Sequence, residues 1–320
     1  MCYEPRKSLA FGRRMLDWLW RKGRVGARAA WRAGEKLTYD GGLAIASNVA
    51  LSLLLSLFPF LMLVAGLVRY FGGAELTESV VGLVLDTWPA GSAEAVSQAI
   101  RRAIANDGSS FFSYSTIVAL ILASNGVENA RDGLNRAYKV AETRSFLWRR
   151  VQAVLVVVIG AMGLILAALV LVGAPLINEY LRRADAIADP RVHFLLRLGR
   201  YLVGAVILAI ILWPFHRYLP DGSRRERRMW PGILTTIAGV ILGSELFALY
   251  LNYNANYTAL YAGLAGIMVA IVYLYCVAAL LLYGAELNQT LMEMERERAA
   301  AREASRHRRR RRPRSEVADA

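Results

Sequence analysis

Apolar residues come in long blocks that are separated by charged segments. Six of these blocks are predicted as membrane-spanning helices, since most reach or approach the roughly 20 apolar residues that cross a bilayer. The blocks lie near residues 43–68, 111–124, 151–174, 201–215, 230–251 and 260–283. The second block is short, and we expect Asn125 and Gly126 to break or bend it before an amphipathic helix. The predicted fold is an all-α integral membrane protein with six transmembrane helices.

The positions of the basic residues support six crossings. Of the 39 Lys and Arg residues, 31 fall in segments that six crossings place on one side of the membrane. Cytoplasmic loops carry the excess of Lys and Arg, so both termini are predicted to face the cytoplasm. The net charge of +14 then reflects sidedness, and anionic membrane lipids are the expected partners in place of a specific nucleic acid.

Charge and hydropathy divide the chain into three regions. Residues 1–40 form a basic amphipathic lead, which we expect to lie in the cytoplasmic membrane interface as a helix. Residues 41–290 form the six-span membrane domain, with further interfacial amphipathic helices expected in the external loop, residues 69–110. Residues 291–320 form a charged, Arg-rich tail that is expected to be disordered and cytoplasmic.

Polar residues within the spans are the candidates for a substrate pathway. A charged side chain at the centre of a span costs roughly 2.5–3.5 kcal/mol on insertion scales, so such residues usually face the bundle interior. The candidates are Glu245, Asn48, Ser52, Glu286 and Asn288. Two alternatives stay open: Glu245 joins helices through hydrogen bonds to Asn48 or Ser52, and Glu286 pairs with basic residues of the inner loops.

Two further groups of residues have predicted roles. Arginines between the fourth and fifth spans suit phosphate head groups, which a guanidinium binds through paired hydrogen bonds. They are Arg217, Arg224, Arg225, Arg227 and Arg228. Small residues four positions apart predict close helix packing. They are Gly239, Gly243, Ala262, Gly266 and Ala270. Whether these seams are internal or join two copies of the chain is open.

Enzymatic chemistry has little support in the sequence. The histidines His193, His216 and His307 lie far apart, and none stands at metal-ligand spacing with another His, Cys or carboxylate. No Gly-rich phosphate loop of the Walker type is present. We therefore expect no metal, no cofactor and no catalytic activity.

Four segments resemble the YihY/BrkB family of bacterial inner-membrane proteins. They are Ala44–Leu61, Ser124–Val140, Phe215–Gly232 and Tyr257–Asn288. The resemblance implies a six-span helical protein of the bacterial cytoplasmic membrane. Family members were once labelled ribonuclease BN, a label regarded as mistaken, and others are linked to serum resistance and to export of lipid A precursors. Two departures, Tyr261-Ala262-Gly263 in place of Tyr-Gly and Tyr273 in place of Trp, weaken residue-by-residue transfer of roles.

These features favour a transporter or flippase that exports an amphiphilic envelope component such as a lipid. The alternative is a membrane scaffold that recruits a periplasmic or envelope protein through the external loop, residues 69–110.

Overall fold

The described part of the chain is helical. The computed structural model describes residues 25–86, 114–183, 190–222, 229–253 and 265–311. Within these ranges the helices are α1 (residues 25–39), α2 (Gly42–Asp86), α3 (Tyr114–Ala137), α4 (Phe146–Arg183), α5 (Pro190–Arg217), α6 (Trp230–Tyr253) and α7 (Ala265–Arg311). The predicted all-α fold is confirmed for these residues.

Four of the described helices are long and apolar enough to cross a membrane. The segments are Gly42–Val64, Phe146–Gly163, Trp230–Leu251 and Ile267–His307, and α5 contains a shorter apolar segment, Gly204–Arg217. These five coincide with five of the six predicted spans. The protein is therefore a multi-pass membrane protein. Crossings by the second predicted span and by α5, and the cytoplasmic position of the termini, stay predictions.

Helix α3 corresponds to the second predicted span and differs from it in two ways. Its second half is polar, and it is not among the segments that meet the length and hydropathy of a span. It is also continuous through Asn125 and Gly126, so the expected break is wrong. The reason is local packing: a Cβ on Gly126 would lie 3.0 Å from the hydroxyl oxygen of Ser56 on α2. Glycine at this position lets α3 approach α2 closely.

The bundle is centred on α2, α3 and α7, each of which contacts the other two. Their shared core contains Val49, Leu134, Ala278, Leu282 and Ala285. Helix α4 packs on α2 and α3, whereas α6 packs on α7, and α5 lies between α4 and α6. The end of the bundle at which α2, α4 and α6 begin and α3 and α5 end is called the polar end below.

Helix α7 extends well beyond the membrane segment at the polar end. Its 47 residues correspond to about 70 Å, more than twice the roughly 30 Å hydrocarbon core of a bilayer. The expectation of a disordered tail from residue 291 is wrong up to Arg311, because this stretch is rich in Ala, Glu and Arg, which are strong helix formers. The remainder, residues 312–320, lies outside the described residues.

Helix α1 packs along the extension of α7. Ala29 and Ala33 are buried against Leu287 and Met294, and the hydroxyl of Tyr283 donates to the carbonyl of Ala30 at 3.1 Å. The predicted apolar face of the lead in residues 1–24 lies outside the described residues.

Candidate functional site

Buried polar side chains gather at the polar end, and Asn288 on α7 lies at the centre of one cluster. Its side chain is fully buried. The side-chain oxygen accepts from the backbone amide of Gly232 at 2.7 Å. Its side-chain nitrogen donates to the carbonyl of Met229 at 3.1 Å and to the hydroxyl of Tyr138 at 3.1 Å. Asn288 thereby fixes the start of α6 and joins it to the end of α3.

Tyr138 continues this cluster to His216, which is fully buried at the end of α5. The Tyr138 hydroxyl lies 2.9 Å from Nδ1 of His216. A neutral imidazole that accepts at Nδ1 carries its proton on Nε2. Among the described residues, Nε2 of His216 has no hydrogen-bond partner. Consecutive contacts thus join α6, α7, the end of α3 and α5.

The closest crossing in the bundle supports this cluster. Gly232 on α6 and Gly284 on α7 pack backbone to backbone, and a Cβ on Gly232 would overlap the carbonyl oxygen of Gly284 and the side chain of Asn288. Small residues at such crossings let helices approach within backbone contact. The crossing places the amide of Gly232 within reach of Asn288.

Glu286 lies on the opposite side of α7, in a second polar layer. It is 4% exposed, and its Oε2 is buried without a hydrogen-bond partner among the described residues. The hydroxyl of Thr290, one helical turn further along α7, is buried and unpartnered in the same way. Below them Glu293 pairs with Lys36 of α1 and, at 3.6 Å, with Lys139. The expected pairing of Glu286 with basic residues is not seen in the described part of the chain, because Glu293 binds both lysines.

A clasp joins the α3–α4 connection to the segment after α5. Arg144 donates to the carbonyls of Tyr218, Leu219 and Pro220 at 3.0–3.2 Å. Asp221 accepts from the amide and hydroxyl of Thr143 at 2.7 and 2.5 Å.

The Thr143 hydroxyl is the main cause that lowers the pKa of Asp221 to about 2. The amide of Asp221 in turn donates to the side chain of Asn135 at 2.9 Å. With Asn288 holding Met229, the clasp fixes both ends of the predicted phosphate-binding loop.

Arg131 is the largest fully buried side chain of the described residues, and sequence reasoning gave it no role. It forms an ion pair with Glu128 at 2.8 Å and donates to the carbonyl of Arg149 at 3.1 Å. A signal was present: Arg131 lies four residues after Val127 and three before Leu134, on the apolar face of α3. An arginine on such a face must find buried partners.

Helices α6 and α7 leave a half-open apolar groove between them on the other half of the bundle, with a cavity volume of about 260 Å³. Its walls include Val240, Gly243, Phe247, Tyr250, Tyr273 and Val277. The rings of Phe247 and Tyr273 lie 5.7 Å apart, and the hydroxyls of Ser244 and Tyr273 lie 3.1 Å apart. We call this the α6–α7 groove.

The predicted pathway residues do not form one cluster. Glu245 has an exposed side chain beside the α6–α7 groove, so the expectation that it faces the interior is wrong. Asn48 is also exposed on α2, Ser52 is half-buried, and α6 has no extensive contact with α2. Glu286 and Asn288 are buried together at the polar end on opposite sides of α7.

The structure describes some of the predicted phosphate-binding arginines and small packing residues. Arg217 is half-buried at the end of α5, whereas Arg224, Arg225, Arg227 and Arg228 lie outside the described residues. Gly239 packs on Leu280, with a Cβ position 2.6 Å from its Cδ2, and Gly243 lines the α6–α7 groove. Gly266 and Ala270 are helical in α7, and Ala262 lies outside the described residues. Sequence reasoning missed Gly232 and Gly284, because no second Gly or Ala stands four positions from either: Thr236 follows Gly232, and Leu280 and Asn288 flank Gly284.

Metal ligands are not grouped in the described part of the chain. No set of three or more His, Cys, Asp or Glu side chains there could hold a metal ion.

Comparisons with known proteins give the family. A family model described as Virulence factor BrkB matches residues 33–310. The chain belongs to the BrkB family. Similar proteins include YfkH of Bacillus subtilis, named as ribonuclease-like, at 28% identity over 82% of this chain and 94% of YfkH. Another is the UPF0761 membrane protein VP0125 of Vibrio parahaemolyticus, at 24% identity over 82% of this chain and 81% of that protein. No solved structure matches the chain significantly.

Proposed function

We propose that this BrkB-family protein moves an amphiphilic envelope component, such as a lipid, across the bacterial cytoplasmic membrane. The observation that carries the proposal is the α6–α7 groove. It opens on the outer surface of the bundle, where the surrounding lipid can enter it directly. Its volume of about 260 Å³ is below the roughly 300–1,000 Å³ of small-molecule pockets, so it suits one acyl chain and not a whole molecule.

Two hydroxyl groups in the wall of the α6–α7 groove suit the part of an amphiphile at which its acyl chain joins a more polar group. The hydroxyls of Ser244 and Tyr273 meet at its wall, and the exposed carboxylate of Glu245 follows directly on α6. A bound amphiphile with a polar group near its acyl chain would match the two hydroxyls of this arrangement.

The polar end supplies the second part of the proposal. The clasp at Asp221 and the hydrogen bond of Asn288 to Met229 fix the described residues on either side of the arginine-rich stretch, residues 223–228. Phosphate head groups in the cytoplasmic leaflet are the ligands that its arginines suit.

Lipid binding in the groove is tested with the protein extracted together with its native lipids. Gly243→Leu places a side chain in the groove, and its Cβ is tolerated, because the nearest atom, on Leu280, lies 4.0 Å away. Gly160→Leu on α4 is the matched control, since nothing lies within 4 Å of its Cβ position. Mass spectrometry of the co-purified lipids should show a class enriched in the wild type and in Gly160→Leu and lost in Gly243→Leu. A lipid profile equal to the bulk membrane in all three would refute the proposal.

The scaffold function has one observation in its favour. Helix α2 is continuous from Gly42 to Asp86, and its 45 residues correspond to about 68 Å. This length exceeds the bilayer core by far, so the far half of α2 projects beyond it and offers a surface to an envelope protein. Replacement of residues 69–86 by an unrelated helical sequence separates the functions, since it should abolish partner recruitment and leave lipid enrichment intact.

A ribonuclease activity is not part of the proposal, although YfkH carries such a name. RNA cleavage by the purified protein that disappears on a single His or Glu substitution would count against a purely transporting role.

A further inference from the structure

Four charged side chains surround Glu286 in the second polar layer. Its charged groups come from every element that meets there: Lys36 from α1, Asp40 from the α1–α2 turn, Lys139 from the end of α3, and Glu293 from α7 itself. Glu293 engages both lysines, and it also accepts from the side-chain amide of Gln289 at 3.2 Å. The two lysines are thus directed toward Glu293 and not toward Glu286.

The ion pairs of the layer are complete without a charge on Glu286. Lys36 and Lys139 supply two positive charges, and Asp40 and Glu293 supply two negative charges. An ionised Glu286 would add a buried negative charge whose Oε2 has no partner among the described residues. Burying an ion without a counter-charge is far more costly than burying a neutral acid.

The chemistry of the site fits a proton better than a metal cation. Glu286 Oε2 and the Thr290 hydroxyl are the buried oxygens without partners here, and hard cations such as Ca²⁺ and Mg²⁺ take six or more oxygen ligands. A proton needs one carboxyl oxygen. Residues four apart on a helix share a face, so the Thr290 hydroxyl lies on the side of α7 that Glu286 uses, and neither group is hydrogen-bonded to the other.

Lys139 lies at the turn that ends α3. It has a φ of 54°, the left-handed conformation common just after a helix C-terminus, and the amide of Val140 donates to the carbonyl of Asn135 at 2.9 Å. The Lys139 ammonium lies 3.6 Å from Glu293. The ion pairs Lys36–Glu293–Lys139 thereby lie between Glu286 and the exposed extension of α7, where residues 295–307 are exposed.

We propose that Glu286 is a proton-binding site at the polar end of the bundle, closed off from the water by the Lys36–Glu293–Lys139 ion pairs. Opening of these pairs admits water, and Glu286 then releases its proton to the aqueous side. The proton on Glu286 is the transferred group, and a water molecule accepts it, so that charge is conserved. The inference does not depend on lipid transport, because protonation of one carboxyl is measured directly.

Infrared difference spectroscopy of the full-length protein in lipid nanodiscs tests the site. The carbonyl stretch of a protonated carboxyl should be present at neutral pH and absent in Glu286→Gln. Gln mimics the neutral acid in size and charge, so this variant should elute as a single species like the wild type. Glu297→Gln is the matched control on the same helix, with a side chain that is 69% exposed, and it should keep the band. An identical band in Glu286→Gln and wild type, or no such band in the wild type, overturns the proposal.

Glu286→Asp keeps the proposal testable if the Gln variant does not fold. The shorter acid retains a carboxyl in the same layer, and its protonated band should be present at a shifted frequency. An unshifted band would assign the signal to another carboxyl and would refute the role of Glu286.

The closing ion pairs are tested by hydrogen exchange of the same band. Lys36→Met removes one pair and leaves Glu293 with Lys139. The Glu286 carboxyl should then exchange its proton for deuterium at least several-fold faster in heavy water than in the wild type. An unchanged exchange rate would show that the pairs do not close the site.

Discussion

The crossing of α6 and α7 at Gly232 allows a quantitative test of the packing at the polar end. A Cβ on Gly232 would overlap the backbone carbonyl of Gly284 and the side chain of Asn288. A backbone atom moves only with its helix, so Gly232→Ala forces α6 away from α7. Overpacking of this kind costs about 1–3 kcal/mol, and loss of the hydrogen bond between Asn288 and the Gly232 amide adds about 1 kcal/mol.

Two further glycines give graded controls for this substitution. At Gly239 the nearest atom to a new Cβ is Leu280 Cδ2, at 2.6 Å, which is the flexible end of a side chain and can rotate away. Gly239→Ala should therefore be close to neutral, since helix propensity offsets the strain. At Gly160 nothing lies within 4 Å, so Gly160→Ala should stabilise by up to about 1 kcal/mol.

Thermal denaturation of the purified protein, followed by fluorescence-detected size exclusion, measures the three variants. Unfolding of membrane proteins in detergent is commonly irreversible, so the ranking of apparent Tm values is compared. Gly232→Ala should lie several degrees below the wild type, Gly239→Ala near it and Gly160→Ala at or above it, at roughly 2–4 °C per kcal/mol. Equal Tm values for Gly232→Ala and Gly160→Ala would refute the close crossing.

Two other predictions concern single polar contacts. Because the pKa of Asp221 is lowered to about 2, its carboxylate contributes stability that is complete above the ordinary value of 3.8 and is lost as pH falls toward about 2. Asp221→Asn should be less stable at neutral pH and show a smaller loss of Tm on acidification in that window, and parallel pH profiles would contradict this. Tyr138→Phe removes one hydrogen bond from Asn288 and one from Nδ1 of His216, at a cost of about 1–3 kcal/mol. Tyr39→Phe, at a side chain that is 86% exposed, should change nothing, and equal Tm values for both variants would count against the buried cluster.

Hydropathy and charge located the membrane segments well, because a bilayer imposes one strong requirement on composition along each span. Hydropathy and charge could not show that α3 is buried among the other helices. Its second half carries Asn125, Arg131 and Asn135, and these polar groups lie in the bundle because neighbouring segments supply their hydrogen-bonding partners. Burial by other helices depends on tertiary packing, which a hydropathy window does not contain.

The candidate site could be predicted only in part for a related reason. Glu286 and Asn288 were identified as polar residues near the end of a span, and both are buried. Tyr138, the partner of Asn288, is 150 residues away from it in sequence, and His216, which Tyr138 contacts, is 72 residues away, so no local pattern joins the three. Glu245 was expected to face the interior because a charge in a span is costly. Its side chain instead lies exposed on α6, beside the α6–α7 groove.

Movement of lipid between leaflets is the most direct test of the proposed function. Purified protein is reconstituted into vesicles with a fluorescent phospholipid, with and without a pH gradient, and a membrane-impermeant quencher reports the outer-leaflet fraction over time. The wild type and Gly160→Leu should transfer lipid faster than protein-free vesicles under at least one of these conditions, and Gly243→Leu should not. Transfer at the protein-free rate by the wild type under both conditions, or equal transfer by Gly243→Leu and wild type, would contradict lipid transport through the α6–α7 groove.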